Sequence, residues 1–151
     1  MSQDLQNSIL VMLKLTNNFP FAFKYLDYDC IISYGEYNCG YVALTKEHPI
    51  YGINSFHSDI DIDVHGGITF NQFGDDHFYP KLNDNGETLY WLGFDCMHSG
   101  DIEIAGSWPW KCNKSPQYIA EQIFYMVDQL VEIKNSQKKY KRKITIIEED
   151  L

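Results

Sequence analysis

The chain has 151 residues, of which 44% are apolar and 15% aromatic, and a net charge of −9. This length and composition predict one globular domain and exclude a disordered chain. The acidic balance argues against general binding of DNA or RNA, because such binding needs cations that displace counterions from phosphates. No apolar run is long enough for a transmembrane helix, and the first residues lack the basic stretch of a signal peptide. Four cysteines without C-x-x-C spacing indicate reduced thiols, so we expect a cytoplasmic protein.

The first part of the chain predicts a helix followed by strands. Residues 1–15 carry apolar side chains near one face behind a capping serine, which predicts an N-terminal helix. Residues 21–33 are rich in aromatic and β-branched side chains and predict one or two strands. Residues 39–45 then predict a partner strand after a glycine-containing turn.

The middle of the chain predicts two further strands. Residues 60–70 alternate apolar and polar side chains, which predicts a half-buried strand that carries His65 and is interrupted by two glycines. Residues 71–88 are polar and predict a long excursion without regular structure. Residues 89–96 are short and almost wholly apolar, which predicts an interior strand.

The last part of the chain predicts one long helix. Ser115 is a good N-cap, and the apolar side chains of residues 115–140 recur at helical spacing. Residues 141–151 fit a tail or an edge strand. Residues 1–151 therefore predict a single α+β domain, with a twisted, mainly antiparallel sheet of about five strands and the C-terminal helix on one face.

Two histidines stand out as candidates for chemistry. His65 and His98 are expected at the ends of neighbouring strands, where an imidazole can act as a base, an acid or a ligand near neutral pH. Asp95 and Asp101 could orient the rings through a ring N–H. We therefore name these four residues as catalytic candidates if the protein is an enzyme. The alternative is that each histidine is a structural residue that is hydrogen-bonded inside a turn.

The residues around the histidines suggest a ligand pocket. Glycines beside His65 would let a phosphate or carbonyl oxygen approach backbone N–H groups without interference from a Cβ. Tryptophans in the irregular segment that follows could stack on a flat ligand or could instead pin that segment to the body. The candidate ligand-binding residues are His65, Gly66, Gly67, Thr69, Asp95, His98, Asp101, Trp108 and Trp110.

A divalent metal is a second use for part of this set. His65, Asp95, His98 and Asp101 offer nitrogen and oxygen ligands suited to zinc, manganese or iron, although their spacing matches no established metal motif. Cys96, by contrast, is expected to be a core thiol rather than a nucleophile, because nearby carboxylates raise the pKa of a thiol.

Several motifs resemble an uncharacterised family of small proteins from phages and bacteria. The resemblance rests on Val-His-Gly-Gly-Ile-Thr-Phe at 64–70 and on Gly-Phe-Asp-Cys-Met-His-Ser-Gly-Asp at 93–101. It extends more weakly over residues 37–133 and does not include the N-terminal segment or the basic C-terminal tail. The resemblance implies a phage or prophage accessory protein that acts in the host cytoplasm, and it supplies no list of catalytic residues.

Three functions are compatible with these patterns. The first is a homo-oligomeric anti-defence protein that sequesters a small phosphorylated nucleotide signal in a pocket formed by the histidines and glycines. The second is a hydrolase of a phosphodiester or pyrophosphate that uses the histidine pair or a bound metal. The third is an inhibitor that binds a host protein through an acidic face.

Overall fold

The computed structural model describes residues 2–35, 38–53, 61–96 and 114–149, and beyond residue 137 it describes the backbone alone. Two helices and five strands follow one another along the chain. They are α1 (Ser2–Leu15), β1 (Phe21–Tyr25), β2 (Tyr28–Ser33), β3 (Cys39–Leu44), β4 (Phe70–Phe73), β5 (Tyr90–Asp95) and α2 (Pro116–Glu149).

The five strands form one antiparallel sheet in the order β1-β2-β3-β5-β4. Leu26 and Asp27 connect β1 to β2 with positive φ angles of 51° and 70°, as a tight two-residue hairpin requires. Strand β5 lies between β3 and β4, and five of its six residues are buried. The predicted interior position of this strand is therefore confirmed.

The two faces of the sheet carry different cores. Helix α2 covers one face, where Ile119, Ile123, Met126 and Leu130 are fully buried against the strands. The opposite face holds a smaller aromatic cluster built around Trp91 and Tyr41, which includes Phe70 and Tyr79. This arrangement confirms the predicted α+β fold, with an antiparallel sheet and a long C-terminal helix on one face.

Both helices begin where the sequence predicts. Helix α1 spans Ser2–Leu15 and buries Ile9 and Leu13. At the start of α2, the Tyr118 backbone N–H donates to Ser115 Oγ at 3.1 Å, which is the geometry of an N-cap. Ser115 thus satisfies one of the donors that the first turn of a helix leaves unpaired.

The prediction of a strand at residues 60–70 is wrong. Residues 61–69 form no strand, and β4 begins only at Phe70. Most of β4 therefore lies within residues 71–88, which were predicted to have no regular structure. Gly66 and Gly67 adopt φ angles of 70° and 78°, which turn the chain and end any regular pairing there.

The prediction for residues 141–151 is also wrong over the part that the structure describes, because α2 continues to Glu149. The segment Ile144-Thr-Ile-Ile147 suggested a strand through its β-branched side chains. However, no glycine or proline occurs between residues 117 and 149, and a helix that has already nucleated extends easily through such a stretch.

Candidate functional site

Residues 61–64 are extended, and residues 65–67 turn the chain. Residues 61–67 lie against α2, and we call them the docked segment. Ile62 and Val64 are buried in the main core, whereas Asp61 and Asp63 are exposed. The alternation that suggested a strand is therefore real, because one side of the segment faces the core. Its hydrogen-bonding partner is a helix instead of a neighbouring strand.

Two glutamines of α2 hold the backbone of the docked segment. Gln129 Nε2 donates to the Asp63 carbonyl oxygen at 2.7 Å, and Gln129 Oε1 accepts from the Asp63 N–H at 2.8 Å. Gln122 Oε1 accepts from the His65 N–H at 2.9 Å. A side-chain amide offers the same donor and acceptor as a peptide group, so these glutamines replace the strand that the segment lacks.

Two tyrosines of α2 hold the side chains of the same segment. Tyr125 OH donates to Asp63 Oδ2 at 3.1 Å, and Tyr118 OH lies 2.7 Å from His65 Nδ1. The four helix residues follow one another at spacings of four, three and four, so they form one polar stripe beside the apolar stripe of α2. Sequence reasoning missed this stripe, although its helical spacing was a signal that could have been found.

His65 lies where the docked segment meets the start of α2. Its half-buried ring is perpendicular to the Tyr118 ring, with an interplanar angle of 89° and centroids 5.4 Å apart. Lys114 Nζ lies 5.3 Å from the centroid of the same Tyr118 ring, within the range of a cation–π interaction. We call His65, Lys114, Tyr118 and the adjoining glycine turn the His65 corner.

The turn at Gly66 and Gly67 has open space beside Gly67, but the Gly67 N–H already makes a hydrogen bond within the turn. Gly67 N–H donates to the Val64 carbonyl oxygen at 2.8 Å, so it serves the turn and is not the phosphate donor that the sequence suggested. A Cβ built at Gly67 would meet no atom within 4 Å. The space beside the Gly67 Cα is therefore open among the described residues, and ligand binding by the two glycines stays a prediction.

Thr69 and Asp95 come together at the end of β5. Thr69 Oγ1 donates to Asp95 Oδ2 at 3.0 Å, and the Thr69 N–H donates to the Gly93 carbonyl oxygen at 2.9 Å. The structure thus joins two of the predicted ligand-binding residues and links the chain just before β4 to β5.

Four predicted site residues lie outside the described residues: His98, Asp101, Trp108 and Trp110. The expected meeting of His65 and His98 therefore stays a prediction. Within residues 2–35, 38–53, 61–96 and 114–149, no three His, Cys, Asp or Glu side chains are grouped to hold a metal ion. Because two of the four predicted metal ligands lie elsewhere, a divalent metal also stays a prediction.

The cysteines in the described part of the chain behave as core residues. Cys30, Cys39 and Cys96 are free thiols and are buried, whereas Cys112 lies outside the described residues. Burial raises the pKa of the Cys30 thiol far above its ordinary value. The prediction that Cys96 is a core thiol is confirmed, since its side chain is fully buried in the main cluster.

His48 is 5% exposed and was not among the residues predicted to carry chemistry. Its Nε2 lies 2.8 Å from the Leu130 carbonyl oxygen, and its Nδ1 accepts from the Ile50 N–H at 3.2 Å. A carbonyl only accepts and a backbone N–H only donates, so the ring is neutral with its proton on Nε2. Burial lowers the pKa of His48, while the Leu130 carbonyl opposes this shift. His48 ties the loop after β3 to α2 and is structural.

Comparisons of the chain with protein-family models, curated proteins and solved structures find no match. The resemblance to a phage family therefore stays a prediction. Among the helices that the structure describes, none combines the length and apolar character needed to cross a membrane.

Proposed function

We propose that the protein binds a small phosphorylated ligand of the nucleotide class at the His65 corner and holds it without converting it. The observation that carries this proposal is the convergence of His65 and Lys114 on one tyrosine ring, Tyr118, at the amino end of α2. Lys114 supplies a cation at this position in a protein whose net charge is −9.

The electrostatics of this corner favour an anion. The amino end of a helix carries unpaired N–H groups and about half a positive charge, and α2 has no acidic residue in its first turn to neutralise it. Lys114 adds an ammonium group, and His65 adds ring nitrogens that can hydrogen-bond a phosphate oxygen. A phosphate with two negative charges is the chemical group that this combination suits best.

The nucleotide class follows from the aromatic side chains. Tyr118 presents a ring at the corner, and Trp108 and Trp110 are predicted to contribute further stacking surfaces. The resemblance to phage proteins suggests the biological role: removal of a nucleotide signal of host defence in the host cytoplasm, by a protein that acts as a homo-oligomer. Hydrolysis of the ligand is the competing outcome of the same experiment.

The test measures both binding and the fate of the ligand. Purified protein is titrated with cyclic and linear nucleotides by calorimetry, then denatured by heat, and the released ligand is analysed by chromatography. We expect one saturable ligand class, recovered intact. Lys114→Gln should weaken its binding about tenfold or more, since a hydrogen bond to a charged group is lost.

Lys46→Gln is the matched control, because Lys46 is exposed after β3 and is not part of the corner. It should bind as the unmodified protein does. Sequestration at the corner would be wrong if no nucleotide bound saturably, if both lysine variants behaved alike, or if a cleaved product were recovered.

A further inference from the structure

Two adjoining cavities lie on either side of the turn at residues 83–87. The larger has a volume of about 500 Å³ and a mainly polar lining that includes Tyr28, Glu47, Glu87 and Lys134. The smaller has a volume of about 290 Å³ and a mainly apolar lining that includes Phe23, Leu82 and Trp91. We call them the polar cavity and the apolar cavity.

The two cavities share a wall that is formed largely by charged side chains. Lys24, Asp29 and Asp84 line both of them. Lys24 Nζ lies 2.8 Å from Asp84 Oδ2 and 4.0 Å from Asp29 Oδ1. A ligand that reached past this wall would contact an acidic compartment at one end and an aromatic compartment at the other.

The turn that borders both cavities is held by its own hydrogen bonds. Asn83 Oδ1 accepts from the Asn85 N–H at 3.0 Å and from the Glu87 N–H at 2.9 Å. Asn83 N–H donates to the Glu87 carbonyl oxygen at 2.9 Å, which closes the turn. These hydrogen bonds therefore fix the backbone of the turn that both cavities share.

The polar cavity has an excess of negative charge. Its lining holds five carboxylates and two ammonium groups, an excess of three negative charges. Asp29 is the less solvated of the two carboxylates beside Lys24, because 27% of its side chain is exposed, against 84% for Asp84. Burial raises the pKa of Asp29, so a second cation beside this carboxylate would stabilise its charged form.

From these features we infer that the adjoining cavities bind an organic amine that carries an apolar ring, with the ammonium group in the polar cavity and the ring in the apolar one. The combined volume suits a small molecule. The carboxylates repel phosphates, so this ligand differs in class from the one proposed for the His65 corner.

The amine site is also separate in space from the His65 corner. Helix α2 contributes Val131, Lys134 and Asn135 to the polar cavity, whereas Tyr118 marks the corner. At 1.5 Å per residue, Tyr118 and Val131 are roughly 20 Å apart along the helix. The inference therefore does not depend on the proposed function.

Tryptamine is the test ligand, and indole-3-propionate is its control with the same ring and the opposite charge. Calorimetric titration should show saturable binding of tryptamine and none of indole-3-propionate. Asp29→Asn should weaken tryptamine binding about tenfold. Asp4→Asn, which removes an exposed carboxylate from the first turn of α1, should leave it unchanged.

A second variant keeps the test decisive if Asp29→Asn fails to fold. Ala22 is exposed on the edge strand β1 and lines the apolar cavity, so Ala22→Trp should fill that cavity without disturbing the core. This variant should abolish tryptamine binding while its circular dichroism stays unchanged. Absence of saturable tryptamine binding, equal binding of both indoles, or full binding by folded Ala22→Trp would each overturn the inference.

Discussion

At the residue scale, His48 shows how the fold depends on one protonation state. Its two ring nitrogens are both engaged by backbone groups, one from Ile50 and one from Leu130, and the ring is buried. A second proton on Nδ1 would face the Ile50 N–H and break that hydrogen bond. The native state therefore needs a neutral imidazole at this position.

A pH dependence of stability follows from His48. Its pKa in the folded state lies below the ordinary value, so the unfolded chain binds the proton more readily at mildly acidic pH. The stabilisation is complete above about pH 6.5 and is lost as the pH falls below that value. His48→Gln should be less stable at pH 7.5 by about 1–3 kcal/mol, the typical cost of leaving buried polar groups unpaired.

Denaturant unfolding at pH 7.5, 6.5 and 5.5 tests this prediction. The difference in the free energy of unfolding between the unmodified protein and His48→Gln should shrink as the pH falls. A difference that stays constant over this range would show that His48 does not titrate differently in the folded and unfolded states.

Gly93 illustrates a second constraint on a single residue. A Cβ at this position would lie 2.5 Å from the Tyr41 ring and 3.2 Å from the Gly40 carbonyl oxygen. Gly93→Ala must therefore displace a buried ring in the middle of the sheet, and we expect a loss of about 1–3 kcal/mol in the free energy of unfolding. Tyr41→Ala should lower the free energy of unfolding less in the Gly93→Ala background than in the unmodified protein, because it removes the clash. If the losses in free energy of unfolding from the two substitutions were additive, this packing would be wrong.

At the scale of elements, the docked segment shows what the sequence could and could not predict. Alternation over residues 61–65 correctly indicated an extended chain with one buried side. It could not reveal whether the backbone pairs with a strand or with side chains, because both leave the same pattern. The partners are Gln122 and Gln129 of α2, which lie seven residues apart on one face of the helix. A polar stripe on a helix usually faces solvent, so these glutamines did not stand out in the sequence.

The same limit applies to the helices and to the site. Caps and apolar spacing predicted α1 and the start of α2, since these signals are local. The contact between His65 and Tyr118 joins residues 53 positions apart, which no local pattern specifies. The sequence therefore identified His65 as a candidate without identifying what holds its ring.

The glutamine contacts predict a selective change in hydrogen exchange. Gln129→Ala removes the acceptor of the Asp63 N–H, and Gln122→Ala removes the acceptor of the His65 N–H. Each variant should accelerate exchange chiefly at its own amide and should cost about 1 kcal/mol or more in the free energy of unfolding.

Gln117→Ala is the control for both variants. Gln117 is exposed on the same helix, and its side chain donates only to Glu121 among the described residues. This variant should leave both amides protected. If Gln129→Ala left exchange at Asp63 unchanged, the docked segment would not be held by this side chain.

At the scale of the whole molecule, opposite charge preferences lie along one helix. The amino end of α2, with Lys114 and His65, is the proposed anion site, whereas the cavity near Lys134 is lined by an excess of carboxylates. The net charge of −9 is a sum over the whole chain and does not give the local charge at either region. The net charge argues against general nucleic-acid binding, and a single local anion site is compatible with that expectation.

The central claim is that a phosphorylated ligand binds at His65, and the most direct measurement is NMR of the histidine side chains during a nucleotide titration. His48 is an internal reference, because it is buried and tied to Leu130. We predict that a saturating nucleotide shifts the His65 ring resonances and leaves those of His48 in place. A saturable titration that left the His65 resonances unmoved would contradict the claim.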